Sequence, residues 1–334
     1  KFMKKIEMKY NKKNWPLKEI FRTSSRTENL NVAETIEVSI KINDIIGRGE
    51  STPYIRYGET INNSLSELKK IKTLVEAGLT REDLQNAMHP SSARCAVDCA
   101  LWDIEAKLNK KRVWDLLNIS NKPREIISAE SFGIRSLKKL KNGITKCNNP
   151  PLIKLKADRN NVYDIIETAF NASPKSKFIV DFNESLFPSD IQLVSKKLKK
   201  FNVVLLEQPL HANQDEILKN FKHTIPIGAD ESCHTSEDID HIKQKYDCVI
   251  IKPGKCGGLT EAFKLKKLAE KNNLKTMIVC MFGSSLAVAP AYTLALDGAD
   301  FVNIEVPKIM AKDRKYKIRC LNQTVSIPDA RLWG

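Results

Sequence analysis

The sequence predicts an α/β fold, a (β/α)7β modified TIM barrel with an N-terminal α+β capping domain that the C-terminal tail completes. Three observations carry this. Eight short apolar, β-branched runs follow one another through the later part of the chain, mostly about 22 to 26 residues apart. Amphipathic, Lys-rich stretches such as 190–200 and 260–271 separate them. The residues before the first run follow a different pattern, mixing one alternating strand with helical spacing. Strands alternating with helices imply βα units and a parallel sheet, and eight of them imply closure.

The elements follow in order. ETIEVSIKIND (34–44) alternates as an antiparallel strand, and Ser64–Ala77 and Ala93–Leu117 are helical by apolar spacing. The eight barrel runs are IISAESFGI (126–134), PLIKLKA (151–157), KFIVDFN (177–183), VVLLEQP (203–209), IPIGADES (225–232), CVIIKPG (248–254), KTMIVCMF (275–282) and FVNIEVP (301–307). Two further strand-like pieces, YKIRC (316–320) and TVSI (324–327), lie in the tail and are expected to return to the first unit. Residues 1–122 and 310–334 are thus expected to form the capping domain, and 123–309 the barrel. No low-complexity linker marks the boundary near Asn121–Pro123, so the units are expected to be docked. At 334 residues the chain is too long for one simple core and fits two packed units.

Composition narrows the class of function. With 42% hydrophobic and 28% charged residues the chain reads as an ordinary soluble globular protein. No apolar run approaches the ~20 residues of a membrane span, and the Lys-rich start lacks a signal peptide's apolar core. Eight scattered cysteines without a CxxC pair suit reduced thiols, so a cytoplasmic location is expected. The formal net charge of +15 invites a nucleic-acid partner. Its lysines, however, lie in runs such as 196–200 and 264–267 that map to solvated helix faces, without interleaved aromatics or a binding motif. A small-molecule substrate is expected, with no nucleic acid and no membrane.

In an α/β barrel the active site lies at the C-terminal strand ends. Strand two ends in Lys154-Leu155-Lys156, strand three in Asp181-Phe182-Asn183 and strand four in Glu207-Gln208-Pro209. Strand five ends in Asp230-Glu231-Ser232 and strand six in Lys252-Pro253. Five consecutive strands therefore place ionisable groups at one end, which is costly unless they are paired or functional. Strand parity turns Lys154, Lys156, Asp181 and Lys252 inward, with Ile153, Leu155, Val180, Phe182 and Ile251 outward. Asp181, Glu207 and Asp230 would make a compact all-oxygen site for a hard cation, Mg²⁺ or alternatively Mn²⁺.

The lysines flank that site from strands two and six. A substrate carboxylate bound there would place its α-carbon between Lys156 and Lys252. A lysine acting as base near neutral pH needs its pKa lowered from ~10.4. Lys154, the cation and partial burial all push Lys156 that way. Two bases on opposite faces allow removal of the α-proton from one side and return from the other. His211, His223, His234 and His241 lack ligand spacing and read as surface residues. His89 and the Cys95/Cys99 pair read as packing, and Gly257-Gly258 as a tight turn rather than an anion cradle.

At these residues the chain resembles the enolase superfamily, muconate-lactonizing subgroup, and within it dipeptide epimerases and N-acyl amino acid racemases. GRGESTPYIRYGET (47–60) and ARCAVDCALWDIEAKL (93–108) resemble that family's capping domain. KLK (154–156), DFNES (181–185), LLEQPL (205–210), ADESCH (229–234), IIKPGKCGGLTEA (250–262) and CMFGSSLAVAP (280–290) resemble its barrel motifs in order. The resemblance implies one divalent cation on Asp181, Glu207 and Asp230, and Lys156 and Lys252 as paired acid/base catalysts beside the cation Lys154. It implies 1,1-proton transfer at the carbon α to a carboxylate, through an enediolate, on a dipeptide or N-acyl amino acid. It also implies a homo-oligomer.

Segments Arg22–Glu28 and Tyr54–Glu59 would be the capping loops over the substrate, with Tyr54 against it and Arg26, or else Arg22, holding a distal carboxylate. After strand eight, where many dipeptide epimerases carry Asp-x-Asp against a free ammonium, this chain has Asn303 and Glu305. Phe182 also replaces a common alanine, a packing change on the outward face. A cycloisomerase or an o-succinylbenzoate-type dehydratase would use the same inward lysines. A non-catalytic basic barrel binding a metabolite or RNA is the reading from another class.

Overall fold

The computed structural model describes residues 5–24 and 30–334. The eight apolar runs form one parallel sheet in sequential order: Glu130–Phe132, Leu152–Lys156, Lys177–Asp181, Val203–Glu207, Ile227–Ala229, Cys248–Ile251, Lys275–Val279 and Phe301–Asn303. The last strand returns to the first. Ala129 N–H donates to the Val302 carbonyl at 2.7 Å, and the Asn303 amide reaches the Ala129 carbonyl at 3.3 Å. Strand parity sorts the side chains as expected. Ile179, Leu205, Cys248, Ile250 and Met277 fill the barrel. Ile153, Leu155, Val180, Phe182 and Ile251 pack outward in the layer shared with the helices. Phe182 is fully buried there, so the large ring fills outer packing rather than the site.

The helical layer is uneven. Leu137–Lys146, Val162–Ala172, Ile191–Leu198, Leu259–Lys271 and Ser285–Leu296 are full helices. The connection after the fourth strand holds only a 3₁₀ segment, Asp215–Asn220, and that after the fifth a short helix, Ile239–Ile242. Gly257-Gly258 forms the tight turn expected, with Gly257 left-handed at φ 79°. The following helix start is satisfied from within the protein. The Asp98 carboxylate accepts from Thr260 N–H at 3.0 Å and from its hydroxyl at 2.6 Å. A Cβ at Gly258 would stand 2.5 Å from that carboxylate, so glycine is what lets Asp98 approach.

Three expectations need correction. The run 126–134 is not one strand. Ile126–Ile127 pairs with Thr324–Val325 of the tail, and only Glu130–Phe132 enters the barrel. Ser128 causes the break, because its backbone N–H goes to Gln323 and its hydroxyl serves Ile304 N and Glu305. The helix expected over 93–117 ends at Leu108, with Lys110 left-handed at φ 54°, and resumes only as Val113–Leu116. Ile6–Phe21, not anticipated as an element, is a long strand paired antiparallel with Leu30–Ile42. Its Met8 packs on the capping helices, while Trp15, Leu17 and Phe21 join Ala33 and Met310 in a separate cluster at the barrel mouth.

Helix Ser92–Leu108 joins the two units. Ala93, Ala96, Val97, Ala100 and Ile104 face the N-terminal sheet, while Cys95, Cys99, Trp102 and Ala106 face the barrel layer. A helix apolar on both sides is a helix buried on both sides. The tail closes on it: Trp333 donates its indole N–H to the Cys99 carbonyl at 2.9 Å, and Gly334 N–H reaches Asp103 at 2.7 Å. Trp333 is 1% exposed. Trp333→Ala is expected to lower stability by about 3–5 kcal/mol, read as a shifted urea midpoint with an unchanged slope.

Candidate active site

The five charged strand ends meet at one mouth of the barrel. A cavity there is lined by Lys154, Lys156, Asn183, Asp230, Glu231 and Lys252, with Asn303, Glu305 and Ser131 on the far side. Phe21, Thr23 and Tyr54 of the N-terminal unit and Phe282, Val306 and Ile309 complete its wall. Asp181 and Glu207 lie fully buried beneath it.

Ammonium and carboxylate groups alternate across the floor. Lys154 Nζ lies 3.0 Å from Asp181 and 2.6 Å from Glu207. Lys156 pairs with Asp181, and Lys252 with Asp230. Lys255, three residues after Lys252, donates to Asp230 Oδ1 at 2.8 Å, to its carbonyl at 2.6 Å and to the Ile250 carbonyl at 2.8 Å. All three of its donors are thus engaged below the cavity.

The pairing sets the protonation states. Burial pushes Asp181 and Asp230 upward, but Lys156 and Lys154 at the first, and Lys252 and Lys255 at the second, outweigh it and hold both well below the usual carboxylate range. Burial also works against the charged form of Lys252. Asp230 overrides it and keeps that ammonium well above its ordinary value. Glu207 behaves differently: burial first, then Asp181, push it up to about 7. Glu231 is pushed up to about 8 by burial and by Asp230.

Among the described residues no three histidine, cysteine, aspartate or glutamate side chains already converge as an ion cage. The lysine ammoniums stand between the carboxylates instead. The donor chemistry still fits a hard cation, because Asp181, Glu207 and Asp230 are oxygen ligands on three adjacent strands. Both Glu207 oxygens are fully buried, Oε2 lies 2.6 Å from the Lys154 ammonium, and Oε1 has no hydrogen-bond partner among the described residues.

The far wall is built from strands one and eight. Asn303 Nδ2 donates to Ser131 Oγ at 2.8 Å and to Glu305 Oε2 at 2.6 Å. Glu305 Oε1 accepts from Ser131 N–H at 3.0 Å, and Oε2 from Ser128 Oγ at 3.1 Å. Acceptors at Glu305 and Ala129 fix which end of the Asn303 amide faces them. Its amide nitrogen is therefore committed to the protein, and the carbonyl oxygen is the polar atom left over. Burial raises the Glu305 carboxyl above its ordinary value.

The chain matches the family described as mandelate racemase / muconate lactonizing enzyme, N-terminal domain, over residues 5–118. It matches the enolase C-terminal domain-like family over residues 139–326. The chain belongs to the enolase superfamily. The superfamily relatives it resembles include an N-acetyl-D-glutamate racemase of Pseudoalteromonas sp, 38% identical over 303 residues, covering 90% of this chain and 95% of the relative. An L-Ala-D/L-Glu epimerase of Escherichia coli (strain K12) is 35% identical, covering 90% and 92%. Among solved structures, an enolase family member from Agrobacterium tumefaciens with homology to dipeptide epimerases, bound to sodium and L-Ala-L-Glu, superimposes with a TM-score of 0.95. It is 31% identical and covers 98% of this chain and 100% of that one. This superfamily member is an isomerase of the racemase and epimerase kind.

Of the site residues expected from sequence, Lys154, Lys156, Asp181, Glu207, Asp230, Lys252, Tyr54, Asn303 and Glu305 come together around the cavity. Arg26 lies outside the described residues, and the alternative Arg22 is exposed, giving its carbonyl to Ile134 N–H. Three histidine readings are corrected, the first being His223, which is half-buried with its ring bonded to Asp247 at 2.6 Å and to the Leu218 carbonyl at 3.2 Å. His234 is half-buried, its ring 4.5 Å from that of Tyr57, because the fifth strand end turns it under the capping loop. His89 is not packed in the core but exposed beside Glu67. Sequence reasoning missed Asn183, Glu231 and Ser131 as site components, and offered Lys255 only as the alternative to Lys252, a place its bonds to Asp230 and Ile250 deny it. Parity marked Asn183 and Ser131 as inward, and a second lysine one helical turn after Lys252 marked Lys255.

Proposed function

We propose that this protein inverts the α-carbon of an N-acylated amino acid by 1,1-proton transfer between Lys156 and Lys252. The two lysines stand on the second and sixth barrel strands, with the carboxylates of the three intervening strands between them. That disposition carries the reading, because it offers one ammonium or amine to each face of a planar intermediate. A divalent cation, Mg²⁺ by its ligand chemistry, supplies charge for the substrate carboxylate when bound to Asp181, Glu207 and Asp230. Lys154 keeps two of those carboxylates compensated, Asp181 at 3.0 Å and Glu207 at 2.6 Å. One catalytic lysine must be neutral to accept the α-proton while the other donates its own. Both ammoniums carry a carboxylate partner, so the enantiomer bound decides which lysine accepts and which donates.

The far wall supports the N-acyl class. An ammonium asks for several acceptors and negative charge, whereas an amide N–H asks for one acceptor. Asn303 has only its carbonyl oxygen to give, and both Glu305 oxygens already accept bonds from the protein. The racemase relative is named for an N-acetylated amino acid, which agrees. A free dipeptide is the second reading, favoured by the buried Glu305 carboxylate and by the epimerase relative's name.

Both relatives are named for a glutamyl centre, so N-acetylglutamate and Ala-Glu are the matched pair for testing. In D₂O, each N-acetyl enantiomer is expected to gain one deuterium and to invert. N-acetylglutamate should be turned over at least as well as Ala-Glu. Asn303→Asp is expected to shift the kcat/KM ratio towards the dipeptide by about tenfold, since charge-assisted bonds are about twice as strong as neutral ones. A strong dipeptide preference unchanged in Asn303→Asp would restore the dipeptide reading.

A further inference from the structure

Asn183 stands where the third strand leaves the barrel, and its surroundings fix both ends of its side-chain amide. Its backbone N–H donates to Asp181 Oδ1 at 3.0 Å. Its side-chain Oδ1 accepts from the Lys156 ammonium at 3.0 Å, and its Nδ2 donates to Glu231 Oε1 at 3.3 Å. An ammonium on one side and a carboxyl on the other leave a single orientation for the amide. The backbone is left-handed, φ 42°, followed by Glu184 at φ 68°. Asparagine adopts that region more readily than other side chains. Among the described residues Lys252 has no such amide partner, and its side-chain hydrogen bond goes to Asp230. The two lysines are therefore held by different means.

We infer that Asn183 is a positioning residue for Lys156, holding that ammonium on its face of the cavity through an amide anchored on Glu231. The inference rests on the two-lysine reading proposed above. Its consequence is stereochemical. Loss of the Asn183 side chain impairs the proton transfer that Lys156 performs and spares the one that Lys252 performs.

Asn183→Gly removes the amide while relieving the left-handed backbone, so the fold is expected to survive. Asn183→Asp keeps an acceptor for Lys156. The test compares α-proton exchange in D₂O for the two enantiomers of N-acetylglutamate, with Lys156→Met defining which enantiomer depends on Lys156. In Asn183→Gly the same enantiomer is expected to lose exchange by at least about tenfold relative to its mirror image, the scale of one hydrogen bond to a charged group. In Asn183→Asp the ratio between enantiomers is expected to stay within about threefold of wild type even if both rates fall. Equal loss for both enantiomers in Asn183→Gly would overturn the inference, leaving Asn183 a role in the carboxylate site alone.

A substrate-free arm separates this from failure of the proposed function. Reductive methylation of the protein, mapped by peptide mass, should modify Lys156 at least about threefold faster relative to Lys252 in Asn183→Gly than in wild type, because one of its two acceptors is gone and only Asp181 remains. If wild type exchanges neither enantiomer, the two-lysine reading fails and this labelling ratio decides the contact. An unchanged ratio overturns it.

Discussion

Lys156→Met and Lys252→Met are each expected to reduce net inversion by at least about 10³-fold, within the range general acid–base groups contribute. The fold should survive both. Asp181 keeps Lys154 at 3.0 Å when Lys156 is lost, and Asp230 keeps Lys255 at 2.8 Å when Lys252 is lost, so neither variant strands an uncompensated buried charge. Methionine fills the lysine stem, which limits any cavity. Each variant should still exchange the α-proton of one enantiomer, and the two variants should spare opposite ones. Single-turnover measurements in D₂O with each enantiomer read this directly. If Lys252→Met kept wild-type turnover, the paired scheme would be wrong. Lys255 would not rescue it, because its three donors are tied to Asp230 and Ile250 beneath the cavity.

The barrel and its strand-end charges are legible in the sequence, whereas contacts made across long sequence separations are not. All eight barrel strands were legible because a strand buried on both faces reads as a continuous apolar run. The strand-end charges were legible because a period of two decides which side chains enter the barrel. Lys154, Asp181 and Lys252 needed nothing more. Ile6–Phe21 escaped notice for the opposite reason. Its lysines and asparagines face solvent, and it changes packing partner midway, from the capping helices at Met8 to the barrel mouth at Trp15. The split of the first barrel strand also lay out of reach, since the partners that draw Ile126 and Ser128 out of the sheet, Thr324–Val325 and Gln323, lie near the other end of the sequence. His234 and Asn183 depend on contacts across long sequence separations, with Tyr57 and Glu231, that no local pattern reports. The sequence reads His234 as a surface residue and parity turns Asn183 inward, but only the geometry supplies their partners.

Removing a carboxylate from Asp181, Glu207 or Asp230 is expected to abolish turnover and, with it, stabilisation by Mg²⁺. The thermal readout needs no substrate. At a hundredfold excess over its Kd, a cation that binds only the folded chain raises stability by about 2.7 kcal/mol, a shift of several degrees in Tm. Glu207→Gln should lose that shift while keeping side-chain volume. Glu207 also gives the effect a pH dependence whose sign follows from its environment. Burial and Asp181 raise it to about 7, so near pH 6 most of it is protonated and near pH 8 most is charged. An ion binds the charged form and must displace the proton below pH 7. The Mg²⁺-induced rise in Tm is therefore expected to grow from pH 6 to pH 8 in wild type. In Glu207→Gln any residual shift should be flat over that range. Without the ion, the raised carboxyl carries the opposite sign. Its protonated form is fully accommodated at low pH, and stability falls as pH rises through 7 and a buried charge appears. A Mg²⁺ shift that is equal in wild type and Glu207→Gln at every pH would show that the ion sits elsewhere. The three-carboxylate assignment would then be wrong, whatever the two lysines do.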